Sequence, residues 1–279
     1  MRKIKKIHKS EYRPIADLVT TRSLQMIDPF LFLNHHGFQT YPEHNQGLPF
    51  GPHPHRGMET VTFILEGDIM HKDSSGHESV IGPGGVQYMT AGKGLIHAEV
   101  SSSEFKKKGG DLEILQLWLN LPAAKKMMDP NYIGLQKDDI PTFELSEGKI
   151  QVHQLFGEWN GVKGAFEGTF PITMSTIYLE EGSQFTKEIP EDENIFFYLV
   201  RGEVTVNQEE VQFRHLVEFE NEGSTLSVKA QEKSILILGH AKPFNEPVVA
   251  QGPFVMNSQQ EIYEAYEDYQ QGKFGSWNG

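Results

Sequence analysis

The chain has 279 residues, no cysteine, and 25 Lys plus Arg against 38 Asp plus Glu, which gives a formal net charge of -13. This length fits one large domain or two of ordinary size, and the lack of cysteine excludes disulfides, thiolate metal sites and thiol catalysis. The acidic charge opposes attraction to phosphate, so we predict no direct nucleic-acid partner.

The amino-terminal stretch MRKIKKIHKSEY is basic but has no apolar core of signal-peptide length. No run of about 18 apolar residues occurs anywhere, so we predict no membrane contact and a cytoplasmic location. The basic residues also suit a nuclear address or a phosphate patch. We favour a strand in which Ile4 and Ile7 pack while the charged side chains stay in solvent.

Short β-rich runs punctuated by glycine dominate the rest of the chain, and this pattern predicts an all-β sandwich or barrel. These runs are ETVTFILEG, GGVQYMTAG, LEILQLWLNLP, KIQVHQLFG, ITMSTIYLEEG, NIFFYLVRGEVTV, LVEFENEG and KSILILGH.

Two histidine pairs precede the middle of the chain. His35 and His36 are adjacent in FLFLNHHGF, and neighbouring strand residues point to opposite faces, so we predict structural or pocket-rim roles for them. His53 and His55, in GPHPHRGMETVTFILEG, are two residues apart and share a face, with α-carbons roughly 6.6 Å apart. That spacing suits two imidazoles on one metal ion, although solvated loop histidines are the commoner interpretation of His-x-His taken alone.

The stretch GPGGVQYMTAGKGLIHAEV repeats the same spacing in His97 and Glu99. Two such pairs on strands of one barrel can converge as three imidazoles and a carboxylate. Ligands of this kind, without sulfur, suit iron, manganese, nickel, copper or zinc. The segment between the pairs includes KDSSG, a predicted hairpin turn flanked by His71 and His77, which we expect to be exposed.

Three further segments carry smaller predictions. The triple lysine in SSSEFKKKGGD predicts an exposed loop, and AAKKMMDP a short helix that ends at Pro130. In LQLWLNLP, Gln116 is a candidate pocket residue if its face of the strand points inward, and Trp118 is expected to pack. Near the carboxyl terminus, SQQEIYEAYEDYQQG has a capping box of Ser258 and Glu261 and predicts a helix.

The segments TFILEGDIMHKD and FYLVRGEVTVNQ resemble each other, with a turn at Gly67 in one and Gly202 in the other, which predicts a duplicated barrel. The halves would meet near residues 139–149. We therefore predict a metal-binding domain at 1–140 and a second domain at 141–279 that ends in the short helix. The second half has no histidine between His153 and His215, so we predict no metal site there.

The stretches HPHRGMETVTFILEG, GPGGVQYMTAGKGLIHAE, LQLWLNLPAAKKMMDPNY and NEPVVAQGPFVMNSQQEIYEAYEDYQQGKFG resemble the pirin family of the cupin superfamily, and the resemblance runs from IDPFLFLNHHGF to the end. It implies two tandem cupin barrels (double-stranded β-helix, jelly-roll) with a few short helices. It also implies one mononuclear iron, Fe(II) or Fe(III), in the first barrel only. On matching positions the metal ligands are His53, His55, His97 and Glu99.

This pattern departs from that of general cupins, which use a glutamate shortly after His-x-His as a ligand. That residue is Glu59 here, and we place it outside the ligand set with a supporting or structural role. Arg56 is a candidate for binding a nearby carboxylate such as Glu99, and Gln116 a candidate for the pocket.

Two functions follow from the resemblance. The first is an enzyme, a quercetin 2,3-dioxygenase type of oxidoreductase that opens flavonols with dioxygen and releases carbon monoxide, with Glu99 as the base. The second is a redox-sensing iron protein that acts through protein partners as a transcription or metabolic coregulator. The acidic surface permits protein partners under either hypothesis.

Overall fold

The structure is a computed structural model that describes residues 1–23 and 25–277. The last two residues of the predicted second domain, 278 and 279, lie outside the described residues. The strands in chain order are β1 (Ile4–Lys9), β2 (Glu11–Tyr12), β3 (Thr20–Ser23), β4 (Phe30–Tyr41), β5 (Phe50–His55), β6 (Met58–Glu66), β7 (Ile69–Asp73), β8 (Glu78–Ile81), β9 (Val86–Thr90), β10 (Leu95–Val100), β11 (Gly110–Asn120), β12 (Asn131–Leu135), β13 (Thr142–Leu145), β14 (Ile150–Phe156), β15 (Glu158–Trp159), β16 (Val162–Lys163), β17 (Thr173–Leu179), β18 (Gln184–Glu188), β19 (Asn194–Arg201), β20 (Glu203–Val206), β21 (Glu209–Gln212), β22 (His215–Phe219), β23 (Thr225–Ala230), β24 (Ser234–Ala241), β25 (Val249–Gln251) and β26 (Phe254–Met256). The helices are α1 (Ser103–Lys108) and α2 (Gln259–Gln270), with single 3-10 turns at Ala123–Lys125 and Lys137–Asp139. This confirms the all-β class with few short helices.

The chain divides into two compact units. The first barrel comprises Tyr12–Arg22, Leu31–Asp138 and Phe244–Gly279, and the second comprises Met1–Glu11, Ser23–Phe30 and Asp139–Pro243. These bounds differ from 1–140 and 141–279, because each end of the chain joins the barrel made by the other half. The terminal segment pairs with the first barrel through a bridge between Arg56 and Phe254, a long-range contact that a linear division of the sequence cannot show.

The two barrels repeat one topology. The first has a sheet in the order β12-β9-β6-β11-β4-β3-β2 and a second sheet β5-β10-β7-β8. The second has β1-β22-β19-β24-β17-β14-β13 and β18-β23-β20-β21, so β5 to β11 correspond in order to β18 to β24. Gly67 and Gly202 occupy equivalent turns with φ of +79° and +88°, which a side chain would strain. The predicted duplication is therefore confirmed.

Apolar side chains fill the second barrel where the first carries its histidine-bearing strands. Phe185 of β18 and Leu226 and Val228 of β23 belong to one packed core. The equivalent strands of the first barrel, β5 and β10, carry His53, His55, His97 and Glu99 instead. The two barrels thus differ in what the same two strands contribute to the interior.

The helices test three sequence predictions. Helix α2 begins as predicted, with Ser258 Oγ accepting from the Glu261 amide at 3.3 Å and Ile262 fully buried. The predicted loop around the triple lysine is wrong, because Ser102 caps a short helix there and Phe105 is buried beneath it. The predicted helix around residues 123–130 is also wrong, since only the single turn Ala123–Lys125 forms.

Neither α-helix of the described residues has the length and hydropathy that a bilayer-spanning segment needs.

The basic amino terminus forms a strand, β1, that pairs with β22. Ile4 and Ile7 pack against the core of the second barrel, and Lys5 forms an ion pair with Glu218 at 2.8 Å. This confirms that Ile4 and Ile7 pack. The expectation that the charged side chains stay in solvent is wrong for Arg2, which is 1% exposed and donates to the Gly223 carbonyl at 3.1 Å.

Lys126 is a buried cation of the first barrel. Its Nζ donates to the Gly57 carbonyl at 2.8 Å, the Asn120 Oδ1 at 2.7 Å and the Val255 carbonyl at 3.0 Å. Burial lowers the pKa of Lys126 to about 8. The ammonium therefore joins three segments of the chain through three charge-assisted hydrogen bonds.

We expect Lys126→Met to lower the free energy of unfolding by roughly 2 to 4 kcal/mol, because it leaves three buried acceptors unpaired while removing a desolvated charge. Urea denaturation at pH 7 measures the change. Lys107→Met, which alters an exposed lysine, is the control and should stay within about 0.5 kcal/mol of the parent. An equally small change for Lys126→Met would contradict the assignment.

Candidate metal centre

Two neighbouring antiparallel strands bring the predicted histidines together. Strands β5 and β10 pair with His97 opposite His53 and Leu95 opposite His55. The alternation of side chains then places all three imidazoles on the inner face of the sheet. On its other side β10 pairs with β7, where Glu99 lies opposite His71.

The three imidazoles converge closely enough to share one ion. Ring nitrogens of His53, His55 and His97 all lie within 4.8 Å of one another. The Nε2 atoms of His97 and His53 are 3.0 Å apart, and the ring centroids of the three pairs are separated by 4.4 to 5.0 Å. Three imidazole nitrogens on one face are a donor set typical of first-row transition metals.

The second ring nitrogen of two of these histidines is fixed by the backbone. His53 Nδ1 lies 2.8 Å from the Gly51 carbonyl and His55 Nδ1 lies 3.1 Å from the Pro253 carbonyl. Such bonds hold the rings with Nε2 directed inward and set the tautomer. His55 Nε2 is buried and finds no hydrogen-bond partner among the described residues. A buried nitrogen whose lone pair is not used in a hydrogen bond is available to bind a metal ion.

His97 lacks the hydrogen bond at the second ring nitrogen that metal-ligating histidines usually make. Its Nδ1 is buried without a partner in the described part of the chain. Burial lowers the pKa of His97 well below its usual value, and it lowers the pKa of His55 to about 3, with the neighbouring histidines acting in the same direction. Both rings are therefore neutral at physiological pH, the form that binds a metal.

Glu99 lies at the edge of the histidine cluster, and hydrogen bonds from two neighbouring side chains fix its carboxylate. Its Oε2 is 4.0 Å from His97 Nε2. Gln116 Nε2 donates to Oε2 at 2.5 Å, and Thr62 Oγ1 donates to Oε1 at 3.2 Å. Trp118 Nε1 in turn donates to Gln116 Oε1 at 3.0 Å, so the amide is oriented as well. Glu99 thus has a defined position beside the three imidazoles.

A pocket of about 250 Å³ opens beside this cluster. His53, His55 and Glu99 form one part of its wall. Its other walls are mostly apolar, as expected for a site that takes an aromatic ligand. These apolar residues are Ile15, Leu48, Phe50, Ile69, Ile114 and Trp118.

Comparison with known proteins identifies the family. The Pirin model matches residues 11–119 and the Pirin C-terminal cupin domain model matches residues 174–275. The chain belongs to the pirin family. Its two barrels are accordingly cupin domains, as the sequence predicted.

Some relatives of this pirin are named quercetin 2,3-dioxygenases and others are named pirins. A protein of Pseudomonas aeruginosa with a provisional quercetin 2,3-dioxygenase name is 34% identical over 262 residues, covering 94% of this chain and 92% of its own. Pirin of Rattus norvegicus is 36% identical over 260 residues, covering 90% of this chain and 84% of its own. The solved structure of a quercetin 2,3-dioxygenase from Acinetobacter baumannii is 34% identical, with a TM-score of 0.92 and 99% coverage of both chains.

Glu59 of this pirin is in neither of the two described groups of side chains that could hold a metal ion. It is fully buried, and its Oε1 accepts from the Tyr88 hydroxyl and from Thr90 Oγ1, each at 2.7 Å. Gln116, in contrast, touches Glu99 directly. Gln116 also lines the pocket, as predicted, whereas Glu59 does not.

The predicted contact of Arg56 with Glu99 is wrong. Arg56 Nη2 pairs with Asp268 at 2.9 Å, Nε donates to the Lys93 carbonyl at 2.7 Å, and the guanidinium lies 4.6 Å from the centroid of the Phe274 ring. Strand alternation explains the difference, since Arg56 follows His55 and points to the opposite face. Arg56 fastens the carboxy-terminal segment to the first barrel.

The predicted exposure of His71 is also wrong. His71 is 1% exposed, its Nε2 is 3.1 Å from Asp73 Oδ2, and its ring stacks on Tyr132 at 3.8 Å. A ring nitrogen of His71, one of His97 and a carboxylate oxygen of Glu99 lie within 4.8 Å of one another. The missed signal was the i, i+2 spacing of His71 and Asp73 on a strand that pairs with β10.

The side chains of His35 and His36 point to opposite faces of β4, as those of neighbouring strand residues do. His35 Nε2 lies 2.9 Å from Glu113, whereas His36 Nδ1 lies 2.9 Å from Thr20 Oγ1 and the ring lines the pocket. Arg22, Asn34 and Thr62 also line the pocket and were not predicted from sequence, because nothing local distinguishes them from other strand residues.

Proposed function

We propose that this protein is a metal-dependent dioxygenase that opens flavonols such as quercetin. The observation that carries the proposal is the convergence of three imidazoles, two of which line a mostly apolar pocket, with the buried Nε2 of His55 lacking a partner among the described residues. The names of the Pseudomonas and Acinetobacter relatives support the flavonol as substrate.

We propose His53, His55, His97 and Glu99 as the ligands of one ion. Iron is the proposed metal, and manganese, nickel, copper and zinc suit the same nitrogen and oxygen donors. When bound, iron would supply Lewis acidity toward the flavonol oxygen and electron exchange with dioxygen. Three neutral imidazoles and one carboxylate would leave a divalent ion with a net charge of about +1, which attracts an enolate.

The protein's own residues supply binding and proton transfer. The apolar walls, Phe50 and Trp118 among them, hold the aromatic rings and exclude water. Glu99 is the proposed base for the flavonol 3-hydroxyl, and its carboxylate is aimed by hydrogen bonds from Gln116 and Thr62. Gln116 is therefore a positioning residue that acts through Glu99.

Anaerobic reconstitution with Fe(II), followed by quercetin and air, tests the proposal. We expect the flavonol absorbance to disappear with release of carbon monoxide, and we expect His97→Ala to abolish both the bound metal and the turnover. Parallel loading with manganese, nickel, copper and zinc identifies the metal that supports turnover.

A fully loaded protein that leaves quercetin and several other flavonols unchanged would overturn the dioxygenase assignment. That result would favour the alternative, a redox-sensing metal protein that acts through protein partners. Metal analysis of the same samples separates this result from simple failure of reconstitution.

A further inference from the structure

The pocket has a second polar region away from the histidine cluster. Arg22 on β3 and Asn34 and His36 on β4 line it, and we call these three residues the far polar patch. Strands β6, β11, β4 and β3 are successive neighbours in one sheet. Arg22 therefore lies three strand spacings, roughly 14 Å along the sheet, from Thr62, which contacts Glu99.

Two atoms of the far polar patch are buried and unpaired. Neither the Nε of Arg22 nor the Oδ1 of Asn34 has a hydrogen-bond partner within the described part of the chain. Asn34 is 8% exposed, and a buried polar atom left without a partner is destabilising, so a ligand that pairs with it is favoured. One of the two atoms is a donor and the other an acceptor, so a complementary ligand offers one acceptor and one donor.

Arg22 carries the charge of the far polar patch. Burial, with the nearby His35 and Arg22 acting in the same direction, lowers the pKa of His36 to about 3. His36 is therefore neutral at physiological pH. Arg22 is the one lysine or arginine among the residues that line the pocket in the described structure, so the patch favours an oxygen that carries partial or full negative charge.

We propose that the far polar patch recognises two adjacent hydroxyls on the distal ring of the substrate, one accepting from Arg22 and the other donating to Asn34. A catechol ring offers this pair of groups, and the apolar walls hold the rings that connect it to the metal end. The inference rests on the proposed function for the flavonol skeleton. It assigns Arg22 and Asn34 as specificity-determining residues.

Binding of three flavonols tests the inference apart from turnover. Quercetin has both hydroxyls on its distal ring, kaempferol has one and galangin has none. We expect calorimetry on Zn(II)-loaded protein and on apoprotein to give affinities in that order, with quercetin about 10- to 100-fold tighter than galangin, because galangin leaves both protein groups unpaired.

Two variants test whether Arg22 and Asn34 cause the preference for quercetin over galangin. Arg22→Met and Asn34→Leu each remove one of the two groups with little change of volume, and each should reduce the preference for quercetin over galangin to about 3- to 10-fold, the share of the remaining group, while galangin binding changes little. Arg13→Met removes an exposed arginine outside the pocket wall and should keep the parent's preference.

Equal binding of quercetin and galangin by the unmodified protein, or binding of neither, would overturn the inference without any need for a variant. An unchanged preference in folded Arg22→Met would also overturn it. Discrimination in binding without any turnover in the Fe(II) experiment would remove the dioxygenase function and leave the recognition of the catechol standing.

Discussion

Glu99→Gln is expected to lower the affinity for the metal by more than about 100-fold, whereas Glu59→Gln leaves it within a few-fold of the parent. Loss of groups that merely support ligands costs about 10- to 100-fold in affinity, and loss of a direct anionic ligand costs more. Glutamine preserves the volume of the side chain but replaces one carboxylate oxygen by an amide that binds cations poorly.

The Glu59 variant is a matched control because both glutamates are buried in the same barrel. Both described bonds to Glu59 enter the same oxygen, Oε1, so a glutamine at this position can accept from Tyr88 and Thr90 as before. Competition with a chromogenic chelator measures both affinities. Loss of metal from Glu59→Gln with retention in Glu99→Gln would reverse the proposed ligand set and restore the general cupin pattern.

The apoprotein is expected to lose stability steeply as the pH falls from about 6.5 toward about 3. His36 and His55 have pKa values near 3 in the folded chain because burial disfavours their charged forms. The unfolded state, with a histidine pKa near 6.5, binds more protons throughout this interval, so stability is complete above pH 6.5 and falls below it. Each histidine accounts for roughly 3 to 5 kcal/mol when the interval is fully crossed.

His36→Gln isolates one of these contributions without touching a proposed ligand. We expect a lower free energy of unfolding at pH 7, because the contact with Thr20 changes, together with a pH slope smaller by about one proton between pH 4 and 6. Urea titrations at several pH values give the slope. His44→Asn, on an exposed turn, is the control and should keep the parent's slope. An unchanged slope for His36→Gln would show that His36 charges readily in the folded protein.

The proposed ligands were accessible from sequence because strand periodicity is a local rule. Residues i and i+2 share a face whatever the rest of the fold does, so His53 with His55, and His97 with Glu99, were recognised as two pairs. The duplication was also readable, since Gly67 and Gly202 mark equivalent turns between similar strands. Helix α2 was predicted from its capping box, another local signal.

The errors arose where the outcome depends on which strands become neighbours. Arg56 pairs with Asp268, and the terminal segment folds onto the first barrel, through contacts between residues more than 200 positions apart. His71 is buried because β7 pairs with β10, which no local pattern of its hairpin reveals. The short helix α1 is the exception, since its capping residue, Ser102, is a local signal in the sequence.

By itself, the sequence determined the all-β class, the two barrels and the four side chains proposed for the metal, because these depend on alternation, turns and spacing. Only the tertiary structure decided what surrounds them: Gln116 behind Glu99, the Pro253 carbonyl behind His55, and Arg22 with Asn34 across the pocket. Those partners come from other strands and, for Pro253, from a turn near the carboxyl terminus, and their proximity follows from the order of strands in the sheets.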